Sequence, residues 1–203
     1  MKRSVLISGY GSIGRRHANI LSGIIDRKNI TILTKQKLSN FRTIKTIKAL
    51  NELDPYYMVI CNPTSDHINK IRFIEKNFKN KLVLVEKPLF SKPNKINLKK
   101  NKYYVGYNLR FNPIINFLKK KTKSKNIWNV TIFCGSYLPN WRDNIHYSKS
   151  ASAKRELGGG VLLDLSHELD YVQWLFGKIK IQYSKSKKLS NLNIGTDDFL
   201  SLT

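Results

Sequence analysis

Gly9-Tyr10-Gly11-Ser12-Ile13-Gly14 fits the pattern G-x-G-x-x-G, follows the apolar run Val5-Leu6-Ile7 and opens a helix-like stretch. In that context the three glycines have separate tasks. Gly9 permits a tight turn, Gly11 lets a pyrophosphate approach the backbone, and Gly14 lets the helix pack close to the strand. The phosphate then sits on free N–H groups at the positive end of the helix dipole, those of Ser12 and Ile13 among them. The pattern therefore points to dinucleotide binding, against a glycine turn kept for packing alone. At the end of the second strand, where an acid usually takes the ribose 2′-hydroxyl, the chain has Thr34-Lys35-Gln36-Lys37. A hydroxyl and lysines suit a 2′-phosphate, so Thr34 and Lys35 favour NADP over NAD, unless the lysines are ordinary surface charge.

The elements that must position these groups alternate between short apolar runs and helix-like stretches, the pattern of a parallel α/β sheet. Strands are expected at 4–8, 29–34, 57–61, 82–85 and 103–107, with an ambiguous piece at 41–47. Helices are expected at 13–25, with Ile13, Ala18, Leu21 and Ile25 inward, and at 65–77. Asn62-Pro63-Thr64 ends one strand and starts a helix, which makes it a candidate lining of the cofactor, with Ser65 or Asp66 as N-cap. After residue 108 the register changes. A helix at 112–121, a longer strand at 128–136 and a polar aromatic loop at 137–154 lead to Gly158-Gly159-Gly160. One helix then runs through Phe176 and stops at Gly177, followed by strand-like pieces at 179–183 and 199–202. The fold class is α/β: a Rossmann-type doubly wound sheet over 1–108, and a partial α+β domain over 109–203 for substrate and oligomer contacts.

The motif order resembles that of the glucose-fructose oxidoreductase/inositol dehydrogenase (Gfo/Idh/MocA) superfamily. The resemblance rests on Gly9–Gly14, Asn62-Pro63-Thr64-Ser65, Glu86-Lys87-Pro88 and Gly158-Gly159-Gly160 followed by Asp164, His167 and Asp170. It covers essentially the whole chain. The stretches 106–113 and 138–142 look like members encoded among bacterial surface-sugar genes. The resemblance implies NAD(P)-dependent oxidation or reduction at a sugar, cyclitol or nucleotide-sugar carbon.

Carried over residue by residue, Lys87 would stand beside the nicotinamide and stabilise an alkoxide or relay a proton, with Glu86 at the cofactor and Pro88 fixing the chain after it. His167 would be the general base in oxidation and the acid in reduction, with Asp164 orienting it. Lys87 also follows a parallel strand, where open sheets place ligands. Residues three apart on a helix are neighbours, so Asp164, His167 and Asp170 can share a stripe. Asn108, Arg110 and Arg142 are candidates for a small-molecule sugar substrate, and Trp141, His146 and Tyr147 share a loop with Arg142.

Two features depart from the family. It has three residues between this Asp and His, whereas Leu165-Ser166 are two, which turns Asp164 by ~100° on a regular helix. Asp170 then becomes an alternative to Asp164. Family members also run further, so this chain is expected to be truncated, lacking the surface through which full-length relatives form homo-oligomers. A non-catalytic dinucleotide-binding relic or sensor is the competing reading.

Composition excludes other classes. The 203 residues hold 37 Lys+Arg against 13 Asp+Glu, a net +24, with 41% apolar residues, too many for a disordered basic tail. The lysines fall in loops and on helix surfaces with no nucleic-acid signature, so they read as a solvated surface in preference to a polyanion site, and a basic nucleic-acid-binding protein is a third, weaker reading. Two cysteines make neither a disulfide framework nor a metal site, and Cys61 reads as a buried strand residue. His17 and His67 read as structural or surface residues. No apolar stretch approaches the ~20 residues of a membrane span, and the N-terminus has no signal-peptide pattern, so a cytoplasmic location is expected.

Overall fold

The computed structural model describes residues 4–143 and 145–203. The chain forms two compact units that divide between Gly106 and Tyr107. The first holds β1 (Val5–Ser8), α1 (Ser12–Ser22), β2 (Ile30–Leu33), β3 (Arg42–Ile44), β4 (Tyr57–Ile60), α2 (Thr64–Asn77), β5 (Leu82–Val85) and β6 (Lys102–Val105). All six strands are parallel, in the order β3-β2-β1-β4-β5-β6. The ambiguous piece at 41–47 is thus a short edge strand beside β2.

Every residue of β1 and β2 is buried, as a sheet covered on both faces requires. The period of two sorts the side chains between the faces. Leu6, Met58, Ile60, Val83 and Val85 pack beneath Ile71 and Ile74 of α2. Val5, Ile7, Ile30, Ile32 and Val59 pack with Ala18 of α1, joined by Ile13, Leu21 and Ile25. The helix face expected from the sequence is therefore the one that is buried. Strand order reverses between β1 and β4, which opens a crevice outside the carboxyl ends of these two strands.

The second unit holds α3 (Pro113–Thr122), α4 (Val161–Asp164), α5 (Ser166–Phe176) and an antiparallel ladder of β7 (Ser184–Lys187) with β8 (Phe199–Leu202). Asn112 caps α3 by accepting from the Ile114 and Ile115 amides. Three sequence expectations fail here. The stretch 128–136 is not a strand, and Trp128 and Phe133 are 94% exposed. Alternating apolar residues become a strand only when another strand accepts their backbone hydrogen bonds, and among the described residues none lies alongside. The piece expected at 179–183 pairs one step later, with hydrogen bonds from Gln182 and Tyr183 to the Thr203 carbonyl leading into the ladder.

The third failure is the single helix from the glycines to Phe176, which breaks at Leu165 (φ −100°, ψ 27°). Its first part is tied down where Val161 N–H donates to the Asp197 carbonyl at 3.2 Å, and a Cβ on Gly159 would overlap the Ala151 carbonyl. Its second part is held by Arg110 on Asp170. The turn at Leu165 reconciles the two anchors. Among the described residues no helix is long and apolar enough to cross a membrane.

One carboxylate fixes the approach to β6 in the first unit. Glu75 of α2 accepts from the Lys99 and Lys100 amides at 2.6 Å, and from Asn101 Nδ2 and Tyr103 Oη at 3.0 Å. Burial opposes its charge, but these hydrogen bonds outweigh burial and hold the carboxyl below its ordinary value. A lowered native value stabilises the fold above the unfolded pKa, ~4.3, and the contribution disappears as pH falls through the native value. Glu75→Gln is therefore expected to unfold more readily than wild type at neutral pH, with the two curves converging as pH falls through the native value. Chemical denaturation at a series of pH values, beside a titration of the Glu75 carboxyl, measures this, and a gap that stays constant while the carboxyl protonates would exclude the carboxylate as its source.

Candidate functional site

Two loops of the first unit meet at the crevice between β1 and β4. Gly9 leaves β1 with φ +94°, a conformation that disfavours any side chain, and its N–H donates to the Leu33 carbonyl at 3.0 Å. A Cβ there would lie 2.8 Å from the Cys61 carbonyl oxygen. A Cβ on Gly14 would overlap the Gly9 carbonyl, so α1 crosses the turn at a distance only glycine permits. Gly11 differs, because a Cβ there meets nothing within 4 Å. The backbone of this middle glycine faces open space at the start of α1, which has no side-chain cap and no acid in its first turn. The first amides of α1, including Ser12, Ile13 and Gly14, are thus left to an outside acceptor, and the cradle fits a pyrophosphate.

Around this cradle the other candidates are fixed from behind. Asn62 follows β4, and its side-chain oxygen accepts from Ser8 Oγ of β1 at 2.6 Å. The helix after it starts one residue earlier than expected, with Pro63 at the N-cap and Thr64 in the first turn. Neither Ser65 nor Asp66 caps it, and Asp66 instead pairs with Lys70 at 3.1 Å. Thr34 follows β2, its N–H donating to the Ile44 carbonyl, and its hydroxyl accepts the Gln36 amide at 3.2 Å. Gln36 Nε2 donates to the Tyr10 carbonyl at 3.3 Å, which links this turn to the glycine turn, while Lys35 is exposed.

Glu86 and Lys87 follow β5, and the Lys87–Pro88 peptide bond is cis. The Glu86 carboxylate lies 2.6 Å from His17 Nε2, with the two side chains 16% and 20% exposed. Cys61 is buried, and burial with the nearby Glu86 charge pushes its thiol up, so a nucleophilic thiolate is disfavoured. Among the described residues no group of three His, Cys, Asp or Glu is placed to hold a metal ion.

In the second unit His167 lies in the first turn of α5 with the Tyr107 ring edge-on to it, centroids 5.6 Å apart. Arg110 Nε and Nη2 grip Asp170 at 2.8 and 2.6 Å. Asp164 ends α4, on the other side of the Leu165 break, so Asp164, His167 and Asp170 do not form the regular stripe expected. Asn108 and Arg110 share one 3₁₀ turn, Asn108–Phe111. Arg142 follows another, Leu138–Trp141, and lines an open cleft of about 720 Å³ with Asp143, His146 and Tyr147.

Sequence reasoning missed the partners. His17 and His67 read as structural or surface residues, and no spacing announced Glu86 or the loop carbonyls as what they touch. The signal for His67 was its place in the first turn of a helix whose start was itself a candidate.

Residues 125–200 match the family model described as GFO_IDH_MocA_C, the oxidoreductase family, C-terminal alpha/beta domain. Among curated protein sequences none matches the chain. Among solved structures it is similar to the WlbA dehydrogenase from Bordetella pertussis in complex with NADH and UDP-GlcNAcA. That match has 16% identity and a TM-score of 0.77, over 100% of this chain and 67% of that one. An NAD-binding protein from Listeria innocua matches at 18% identity and a TM-score of 0.70, over 100% of this chain and 64% of that one. The WlbA (WbpB) dehydrogenase from Thermus thermophilus in complex with NAD and UDP-GlcNAcA matches at 19% and 0.70, over 96% and 71%. The chain thus spans about two thirds of the length of these structures, and at such identities they share its fold.

The glycines give a paired prediction. Alanine normally stabilises a helix over glycine by ~1 kcal/mol, but Gly14→Ala forces α1 off the turn and is expected to destabilise by about 1–3 kcal/mol. Gly11→Ala meets no protein atom within 4 Å and is expected to keep wild-type stability while dinucleotide affinity falls about tenfold, or 1.4 kcal/mol. Thermal unfolding and nicotinamide fluorescence measure the two effects, and a Gly11→Ala protein that binds like wild type would move the phosphate elsewhere.

Proposed function

We propose that this chain, whose residues 125–200 match the model of the oxidoreductase family's C-terminal alpha/beta domain, is a Gfo/Idh/MocA-type NAD(P)-dependent oxidoreductase acting on the CH–OH group of a sugar, cyclitol or nucleotide sugar. The observation that carries the reading is the cradle at the β1–β4 crevice, where Gly11 opens onto space and the uncapped α1 points its amides. Asn62, Pro63 and Thr64 form its second wall, and Glu86 lies at the end of β5. The nicotinamide dinucleotide, once bound, supplies the hydride acceptor or donor.

The chain's own residues handle charge and protons. Gly9, Gly11 and Gly14 shape the phosphate turn. Thr34 and Lys35, with no acid beside them, favour the 2′-phosphate of NADP. In the oxidising direction the Lys87 ammonium stabilises the developing alkoxide, and His167 accepts the hydroxyl proton, which it returns in reduction. Asp164 orients the imidazole. Asn108, Arg110 and Arg142 face the substrate's hydroxyl and anionic groups. The surface-sugar motifs at 106–113 and 138–142 favour a nucleotide sugar of bacterial polysaccharide synthesis, handled in the cytoplasm. A dinucleotide-binding protein without turnover is the second reading, favoured by the break at Leu165 and the commitment of Arg110 to Asp170.

Parallel titration with NADPH and NADH at moderate salt, followed by nicotinamide fluorescence, tests the cradle. The expected result is saturable binding, tighter for NADPH, and its absence in folded protein would end the oxidoreductase reading. Against a panel of UDP-sugars and inositols, Lys87→Ala is expected to lower turnover by about 10²–10⁴ and to leave NADPH affinity near wild type. Equal turnover in mutant and wild type would remove Lys87 from the mechanism.

A further inference from the structure

His67 of α2 is 1% exposed, and its ring touches both loops of the candidate site. On one side Nε2 lies 2.9 Å from the Asn62 carbonyl oxygen. On the other, Nδ1 lies 3.1 Å from the Pro88 carbonyl and 3.3 Å from the Leu89 carbonyl. These three oxygens belong to chain segments 25 or more residues apart, and both segments leave the carboxyl ends of adjacent strands, β4 and β5. A histidine kept only to fill the core needs one partner for its N–H; this ring presents both nitrogens to acceptors. Carbonyl oxygens only accept, so the ring grips both sides when each nitrogen carries hydrogen.

The two segments carry different tasks. The Asn62 carbonyl belongs to the residue whose side chain is already aimed by Ser8, at the wall of the dinucleotide cradle. The Pro88 and Leu89 carbonyls follow Lys87 directly. A side chain displaced by about 1 Å in an active site can cost two orders of magnitude in rate, so a fixed spacing between these segments matters to chemistry as well as folding.

We propose that His67 is the positioning residue that sets the spacing between the cofactor turn and the Lys87 turn. Its Nε2 side holds Asn62 for the dinucleotide, and its Nδ1 side holds the backbone from which Lys87 projects. The task assigned to Lys87 rests on the oxidoreductase reading above, whereas the grip itself is a property of the first unit.

Two amide variants separate the sides, because the Asn Nδ2 stands about where the His Nδ1 stands, and the Gln Nε2 about where the His Nε2 stands. In His67→Asn the Lys87 turn stays held and the Asn62 turn is released; in His67→Gln the reverse applies. Hydrogen exchange by mass spectrometry is expected to speed up about tenfold at residues 62–66 in His67→Asn alone, and at 87–90 in His67→Gln alone. NADPH affinity is expected to fall several-fold in His67→Asn and to stay near wild type in His67→Gln, while turnover falls more in His67→Gln. A generally loosened core would move both segments together in both variants, and that outcome, or no change in either, overturns the proposal. Should wild type fail to bind NADPH, the oxidoreductase reading falls, and the exchange contrast still decides the clamp.

Discussion

At the mouth of the sheet, α1 passes so near the turn after β1 that a single methyl group at position 14 would overlap the Gly9 carbonyl. That close approach sets the geometry of the whole crevice. It brings the uncapped amides of α1 to the carboxyl ends of β1 and β4. It also lets His17, one helical turn beyond Gly14, reach across to Glu86 at the end of β5, 2.6 Å away. A helix held farther out would lose both relations together. The glycine pattern therefore does two separable jobs. Gly9 and Gly14 satisfy the protein's own packing, while Gly11 has no protein atom to avoid and makes sense in terms of what approaches from outside.

Behind the cradle, the loops are held by imidazole, carboxylate and hydroxyl groups that touch backbone or each other. Ser8 orients Asn62, His67 spans the turns after β4 and β5, and Glu75 gathers the amides at Lys99 and Lys100. Loops carry sites because they are free of the sheet's repeating pattern, but that freedom must be removed at the residues that act. Here it is removed by side chains from α2 and β1, elements already fixed by the core. The candidate site positions thus inherit rigidity from the sheet through a few polar contacts.

The first unit was legible from the sequence because its determinants are local. Apolar runs of four residues, glycines at the turn and a helical stripe at Ile13, Ala18 and Leu21 each announce themselves within a short window. The strand ends were off by a residue or so, where burial and not pattern sets the limit. Partners were the hidden part, since Glu86 and His17 lie 69 residues apart and no period connects them. The second unit shows the converse. Residues 128–136 carry strand-like composition, yet Trp128 and Phe133 stand exposed, because a strand is made by its neighbour as much as by its own residues. The break at Leu165 was equally invisible. It accompanies two anchors, Asp197 on Val161 and Arg110 on Asp170, that the sequence presents as unrelated positions.

The charge of the chain illustrates why counts mislead about sites. A net of +24 suggests an indiscriminate attraction for anions, but the arginine expected to meet substrate spends two of its donors on Asp170, whose side chain is 10% exposed. A guanidinium paired in this bidentate way keeps its orientation and loses much of its long-range pull. The exposed lysines, by contrast, act at long range and are screened within about 10 Å at moderate salt. The net charge therefore counts together a cation fixed by its partner and many that are screened, and it does not report which is which.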